Sequence, residues 1–296
     1  IVSLRITRGP VLSSAYGEMV GEDIGYLEIS SFSLQTGEEV KYYLEEMANL
    51  GATKLIIDVR DNGGGYLSTL NQIASFFLEE EDIVIIEQFR DGNEVVTYSN
   101  GEVFENFEEI VMLANEYSAS ASEVLTAALK DNLDIKVVGV TTYGKGTVQV
   151  TSKFDDGSAL KYTTAQWLTP KGNQIHGIGI KPSVEMRLHE VFYQPTPTFE
   201  EGEPQSFKVD SVSESIIYVQ YALDFLGYTV DRYDGYFSEA TNQALIQYQK
   251  DLQMRTDGIV NAGLISSLSS SIVREWHLNS EIHDVQYQMA LELISH

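Results

Sequence analysis

At 296 residues the chain is too long for one ordinary domain and suits a large domain with a small one attached; 43% apolar residues are enough for a true core. Its 19 basic against 44 acidic side chains leave a net charge of −25, which repels phosphate backbones and anionic lipid and excludes nucleic acid as a partner. The absence of cysteine excludes disulfides, thiolate metal sites and cysteine nucleophiles.

The opening IVSLRITRG reads as a strand, with no basic leader and apolar run ahead of it, so the chain is expected to start within a longer protein. No stretch reaches the ~18 continuous apolar residues of a membrane span. IGYLEI (24–29) reads as a strand, and GEEVKYYLEEMANLG (37–51) has helical spacing closed by Gly51. KLIIDV (54–59) is a buried-strand run, followed by the glycine loop DNGGG and the helical STLNQIASFFLEE. DIVIIEQ, EIVMLA, a helix from about Ala119 to Lys130 and IKVVGV continue the alternation, which predicts a layered α/β core with a largely buried sheet. TVQVTSKF and ALKYTTAQWLT, split by Asp155-Asp156-Gly157, predict an appended antiparallel hairpin. Prolines and glutamates crowd QPTPTFEEGEPQSF, a linker composition. Beyond it, 213–228 and 239–252 are amphipathic helices, a short third helix falls around Leu264–Ser269, and a last helix, Glu281–Ile294, has two options: to pack back or to stand free.

Chemistry concentrates in three places. In NEYSASASEVLTAALKD (115–131) a strand ends, small residues follow and a helix begins, so a serine lies at a helix N-terminus where free N–H groups favour developing negative charge. Ser118, Ser120 and Ser122 compete for that role, and simple N-capping is the bland alternative. In TTYGKGTVQV (141–150), Lys145 stands between two glycines that let its backbone approach a neighbouring segment. A lysine acting as a general base must shed its proton near neutrality, and apolar, acid-poor surroundings such as Val137, Val138, Val140 and Val148 favour that. Gly139 to Lys145 also matches most of a P-loop, but Gly146 replaces the Mg²⁺-binding hydroxyl and a strand-like segment follows, so phosphate binding is set aside. In DVRDNGGG (58–65), three glycines after a buried strand can turn N–H groups towards a cavity as an anion nest. The five histidines are too scattered for a metal site or a Ser–His–Asp triad, so neither metal nor cofactor is expected.

These three segments, in this order, resemble the carboxyl-terminal processing (tail-specific) peptidases, a family of Ser–Lys endopeptidases. DVRDNGGG, SASASE (118–123) and YGKGTVQ (143–149) carry the resemblance, with GNQIHGIGIKPSVEM (172–186) matching the family's closing stretch. Carried over by position, the resemblance makes Ser120 the nucleophile, Lys145 (25 residues on) its base, and Gln149 the residue that orients the lysine. It places the oxyanion hole at the N–H of Ala121 with one from Gly64 or Gly65, and implies a core of the Clp protease/crotonase type. Val140 and Thr141 stand where the family often has Glu-Pro, Gly63 replaces its proline, and Ser183 an aspartate.

The family usually carries a PDZ domain before its core, and residues 1–9 resemble that domain's last strand. The expected organisation is therefore that strand, a peptidase core over 10–193, a linker over 194–211 and a helical unit over 212–296. The helical unit resembles a peptidoglycan-binding domain through VQYALDFLGY, DGYFSEATNQALIQYQ and DGIVNAGLISSL. The expected function is cleavage of exported or cell-envelope proteins through an acyl-enzyme. The protein is expected on the outer face of a bacterial membrane, as a homo-oligomer, with peptidoglycan as a candidate ligand. The alternatives are a non-catalytic cell-wall scaffold and a crotonase-type acyl-CoA enzyme, which the acidity disfavours.

Overall fold

Four of the five residues Lys54–Asp58 are buried, as a strand covered on both faces must be. In the computed structural model, which describes residues 13–199 and 206–295, this strand sits inside a six-stranded sheet. The strand expected at 1–9, and part of the expected linker, lie outside the described residues. The strands are β1 (Ala15–Val20), β2 (Ile24–Ile29), β3 (Lys54–Asp58), β6 (Glu109–Ala114), β7 (Lys136–Gly139) and β10 (Val184–Glu185), in the order β1-β2-β3-β6-β7-β10. β2, β3, β6, β7 and β10 pair in parallel, and β1 is an antiparallel edge.

Alternation along each strand sends Leu27, Leu55, Ile57 and Met112 to one face. There they pack with α1 (Thr36–Asn49), α2 (Leu67–Ser75) and α3 (Ala121–Leu133). The opposite face, through Ile24, Ile56, Val111, Leu113 and Val138, packs with Ala290 and Ile294 of α8 (Val285–Ile294). The terminal helix thus packs back. A parallel sheet needs cover on both faces, and α8 supplies the second layer.

β4 (Ile83–Phe89), β5 (Glu94–Tyr98), β8 (Thr147–Lys153) and β9 (Ala159–Leu168) form a separate four-stranded sheet, ordered β5-β4-β9-β8. The expected hairpin is there, β8 against β9, but DIVIIEQ joins it instead of the main sheet.

Contacts divide the protein into two units. One runs to Met186 and resumes at Gln286, and the other is Arg187–Val285. Of the two options for the terminal helix, α8 takes the first and groups with the sheet it covers. The second unit has β11 (Ser206–Phe207), α4 (Glu214–Phe225), α5 (Glu239–Asp251), β12 (Val260–Asn261), α6 (Ala262–Leu278) and α7 (Ser280–His283). Ile216, Val219, Leu223, Phe237, Leu245, Leu264 and Leu268 build its core. Two buried glutamines do the same task in turn. Gln220 accepts from Gly235 N and donates to Tyr236 O, both at 3.0 Å; Gln249 accepts from Gly258 N and donates to Asp257, also at 3.0 Å. The Gln and Asp-Gly positions that carry the resemblance of this unit are therefore devices that hold its turns.

Candidate active site

β6 ends at Ala114 and α3 begins at Ala121, so residues 115–120 must turn sharply from strand to helix. Ser120 caps the helix with φ 60° and ψ −117°, a backbone state that costs a non-glycine residue about 1–3 kcal/mol and persists only where neighbours enforce it. A serine on a strained strand-to-helix turn is thus present without the Gly-x-Ser-x-Gly pattern.

The three competing serines separate by what their hydroxyls do. Ser118 Oγ donates to Val59 O at 2.7 Å and Ser122 Oγ donates to Asn62 O at 2.8 Å, and both residues are fully buried. Each is fastened to the segment leading into or forming the glycine loop. The Ser120 hydroxyl donates to no acceptor among the described residues.

Asn62, also fully buried, organises that loop. Its amide donates to Ile29 O, its Oδ1 accepts from Gly64 N at 2.8 Å, and its carbonyl accepts from Ala119 N at 2.9 Å. The loop presses Gly64 against Ser120. A Cβ there would lie 2.8 Å from Ser120 Cβ, 2.8 Å from Ala119 O and 2.9 Å from Ala121 N, at a φ of +99°. The Gly64 N–H is occupied by Asn62, whereas those of Gly65 and Ala121 have no acceptor among the described residues.

Glu123 is the residue that sequence reasoning missed. Fully buried on the first turn of α3, its carboxylate accepts from Ser120 N (2.9 Å), Lys145 N (2.8 Å), Gly144 N (2.6 Å) and Thr142 Oγ1 (2.6 Å). One side chain therefore fastens the backbone of the serine and the backbone of the lysine. A signal existed: an acid on a helix whose following residues, VLTAAL, offer no polar face.

The glycines beside Lys145 are required by the closing stretch. Gly144 lies against the amides of Gly177, Ile178 and Gly179, and a Cβ on Gly146 would strike His176 N. Ile180 N donates to Thr142 Oγ1 at 2.7 Å, and Gly177 N to Gly144 O at 2.9 Å. Beyond this clamp the lysine side chain is half-buried and Gln149, on β8, is exposed. Among the described residues, Lys145 Nζ bonds neither Ser120 nor Gln149.

On the other face of β3, Arg60 Nη2 meets Asp58 Oδ2 at 2.6 Å, and Tyr26 OH donates to the same oxygen at 2.9 Å. Burial first, and then the charge of Asp58, push the Tyr26 phenol up; burial likewise raises Glu28.

The model of peptidase family S41 matches residues 23–186, more than half of the chain. The chain belongs to peptidase family S41. A model described as a putative peptidoglycan binding domain matches residues 212–268. Carboxy-terminal processing protease CtpB of Bacillus subtilis (strain 168) is 32% identical over 295 residues, covering 98% of this chain and 60% of that protein. A probable CtpA-like serine protease of Staphylococcus aureus (strain bovine RF122 / ET3-1) is 33% identical over 262 residues, covering 88% of this chain and 52% of its own. The chain thus spans little more than half the length of these S41 relatives. Among solved structures, a photosystem II D1 C-terminal processing protease superposes with a TM-score of 0.56 at 25% identity, over 61% of this chain and 50% of that one. A putative S41 protease from Bacteroides fragilis shares the fold alone, with a TM-score of 0.53 at 15% identity over 63% and 54% of the two chains.

Proposed function

We propose that this chain carries the catalytic core of a serine endopeptidase, with Ser120 as nucleophile and Lys145 as general base. The observation that supports it best is the division of labour among the serines: two hydroxyls donate to backbone carbonyls, and the third, whose O–H has no acceptor among the described residues, sits on a strained turn. A non-catalytic scaffold would have no use for that strain. Substrate brings the Lys145 amine into hydrogen-bond reach of Ser120 Oγ, since such bonds often close only in the bound complex. The amine takes the hydroxyl proton as Oγ attacks the peptide carbonyl, and the resulting oxyanion accepts from Ala121 N–H and Gly65 N–H. The lysinium then protonates the leaving amine, and water cleaves the acyl-enzyme by the same route. Gln149 orients the lysine during turnover. None of these steps needs a metal or cofactor.

Ser120→Ala and Lys145→Ala are expected to abolish cleavage of casein or a chromogenic peptide while the thermal transition is retained. Wild-type rates in either variant would refute the assignment.

The match over 212–268 supports binding of the second unit to peptidoglycan, and with it a place in the cell envelope after export. No helix among the described residues is long and apolar enough to cross a membrane. Sedimentation of the protein with insoluble peptidoglycan tests the binding. Val273, Leu278 and Ile282, exposed on α6 and α7, support self-association into a homo-oligomer, which analytical ultracentrifugation decides.

A further inference from the structure

The second unit leaves the sheet after Met186 and the chain returns at Gln286, one hundred positions later, yet the two residues touch: Gln286 Nε2 donates to Met186 O at 2.8 Å. Gln286 is 1% exposed, and its Oε1 accepts from Arg60 Nη1 at 3.2 Å. Arg60 in turn grips Asp58, with Nε 3.0 Å from each carboxylate oxygen and the Arg60 N–H donating to Oδ1 at 2.9 Å. The next residue of α8, Tyr287, stands edge-on to Tyr26, 5.5 Å between ring centres, and Tyr26 bonds the same Asp58. Both members of the ion pair are largely buried, at 13% and 6% side-chain exposure.

Arg60 is two residues from Asn62, and the turn between them passes through Asp61 at φ 59°. The connection from Arg60 to the loop that presses Gly64 on Ser120 is therefore short and strained. We propose that α8 is a positioning element for that loop, acting through Gln286 on Arg60. The inference rests on the assignment of Gly65 N–H and Ala121 N–H to the oxyanion. A guanidinium presents donors in a rigid fork, and Asp58 engages only part of it. Gln286 Oε1 accepts from Nη1, and on this proposal helps to hold the fork in the setting in which it grips Asp58. The apolar half of α8 anchors the helix on the sheet, and its first turn reaches the strand ends where the chemistry lies.

The test uses the full chain with Gln286→Met, which keeps the length and loses both hydrogen bonds, and Gln286→Glu, which keeps the acceptor for Arg60. A chromogenic peptide gives kcat and KM, and hydrogen exchange follows the amides of residues 61–66. Gln286→Met is expected to lower kcat about five-fold, the factor for the lost hydrogen bond to Arg60, through which the proposal acts, with KM unchanged and faster exchange in the loop. Gln286→Glu should return kcat to within about two-fold of wild type. Leu293→Ala, at the other end of α8, should lower the thermal midpoint and leave kcat alone. If Gln286→Met does not fold, Arg60→Lys, which keeps the charge without the fork, should show the same loss in kcat. Unchanged kcat with wild-type exchange in the folded variants would overturn the proposal. A fully active Ser120→Ala would instead overturn the site assignment beneath it.

Discussion

The two sides of the candidate site are built differently. On the serine side, Asn62, Ser118, Ser122 and Glu123 are all fully buried, and each spends its side chain chiefly on backbone groups. On the lysine side the backbone from Thr142 to Gly146 and the Thr142 hydroxyl are held; the lysine amine has no bond among the described residues, and β8 runs on as the outer strand of its sheet. The difference suits the proposed chemistry. Donors to an oxyanion work because they are already in place when charge develops, so their mounting must be stiff. A general base has to meet the nucleophile and then the leaving group, so its tip needs freedom.

The stiff side breaks most completely at Gly64. Alanine there is expected to lower kcat/KM by at least ~100-fold, because the Cβ would push Ser120 and Ala121 off the geometry that receives the oxyanion. A serine-reactive fluorophosphonate, which needs the same hole, should label the variant correspondingly slowly. Wild-type labelling would mean that the loop can retreat, and the picture of a stiff mounting would be wrong.

Glu123 joins the two sides, so Glu123→Gln should affect both stability and rate. Its amide nitrogen cannot accept, which leaves at least one of the four donors buried without a partner at about 1–3 kcal/mol. We expect a loss of that size in urea denaturation together with a kcat reduced by roughly ten- to a hundred-fold. Lost stability with an unchanged kcat would make Glu123 a fold residue alone and would uncouple the two sides.

Much of the stiff side was legible. A buried-strand run, three glycines and a serine-rich helix start fix the order of the pieces, because period and turn chemistry are local properties. What the sequence left open is nonlocal. An apolar run such as DIVIIEQ shows that a strand is buried but not which sheet takes it. The third helix of the second unit is expected to be short, around Leu264–Ser269. It runs to Leu278 instead: Ser269 and Ser270 turn their hydroxyls back to Ile265 O and Ser266 O, while Ser267 and Ser271 meet Tyr248 OH. Three competing serines could be ordered only by resemblance, since what sets them apart is which carbonyl each hydroxyl meets across some 60 residues of chain, 59 for Ser118 and 60 for Ser122.

The slack side is probed by Gln149→Ala. The pairing of β8 with β9 shifts between Val148 and Gln149, and such a bulge re-aims the side chain that follows it. Gln149 is exposed and unbonded among the described residues, so removing it should change folding stability by no more than ~0.5 kcal/mol. If it steers Lys145 only once substrate is bound, kcat should fall by about ten-fold while KM stays put, the pattern of an interaction made in the transition state alone. An unchanged kcat would assign the aim of the lysine wholly to the clamp between Gly144 and Gly146. The freedom of the amine would then be that of a single side chain on a fixed hinge, and β8 would have no part in the chemistry.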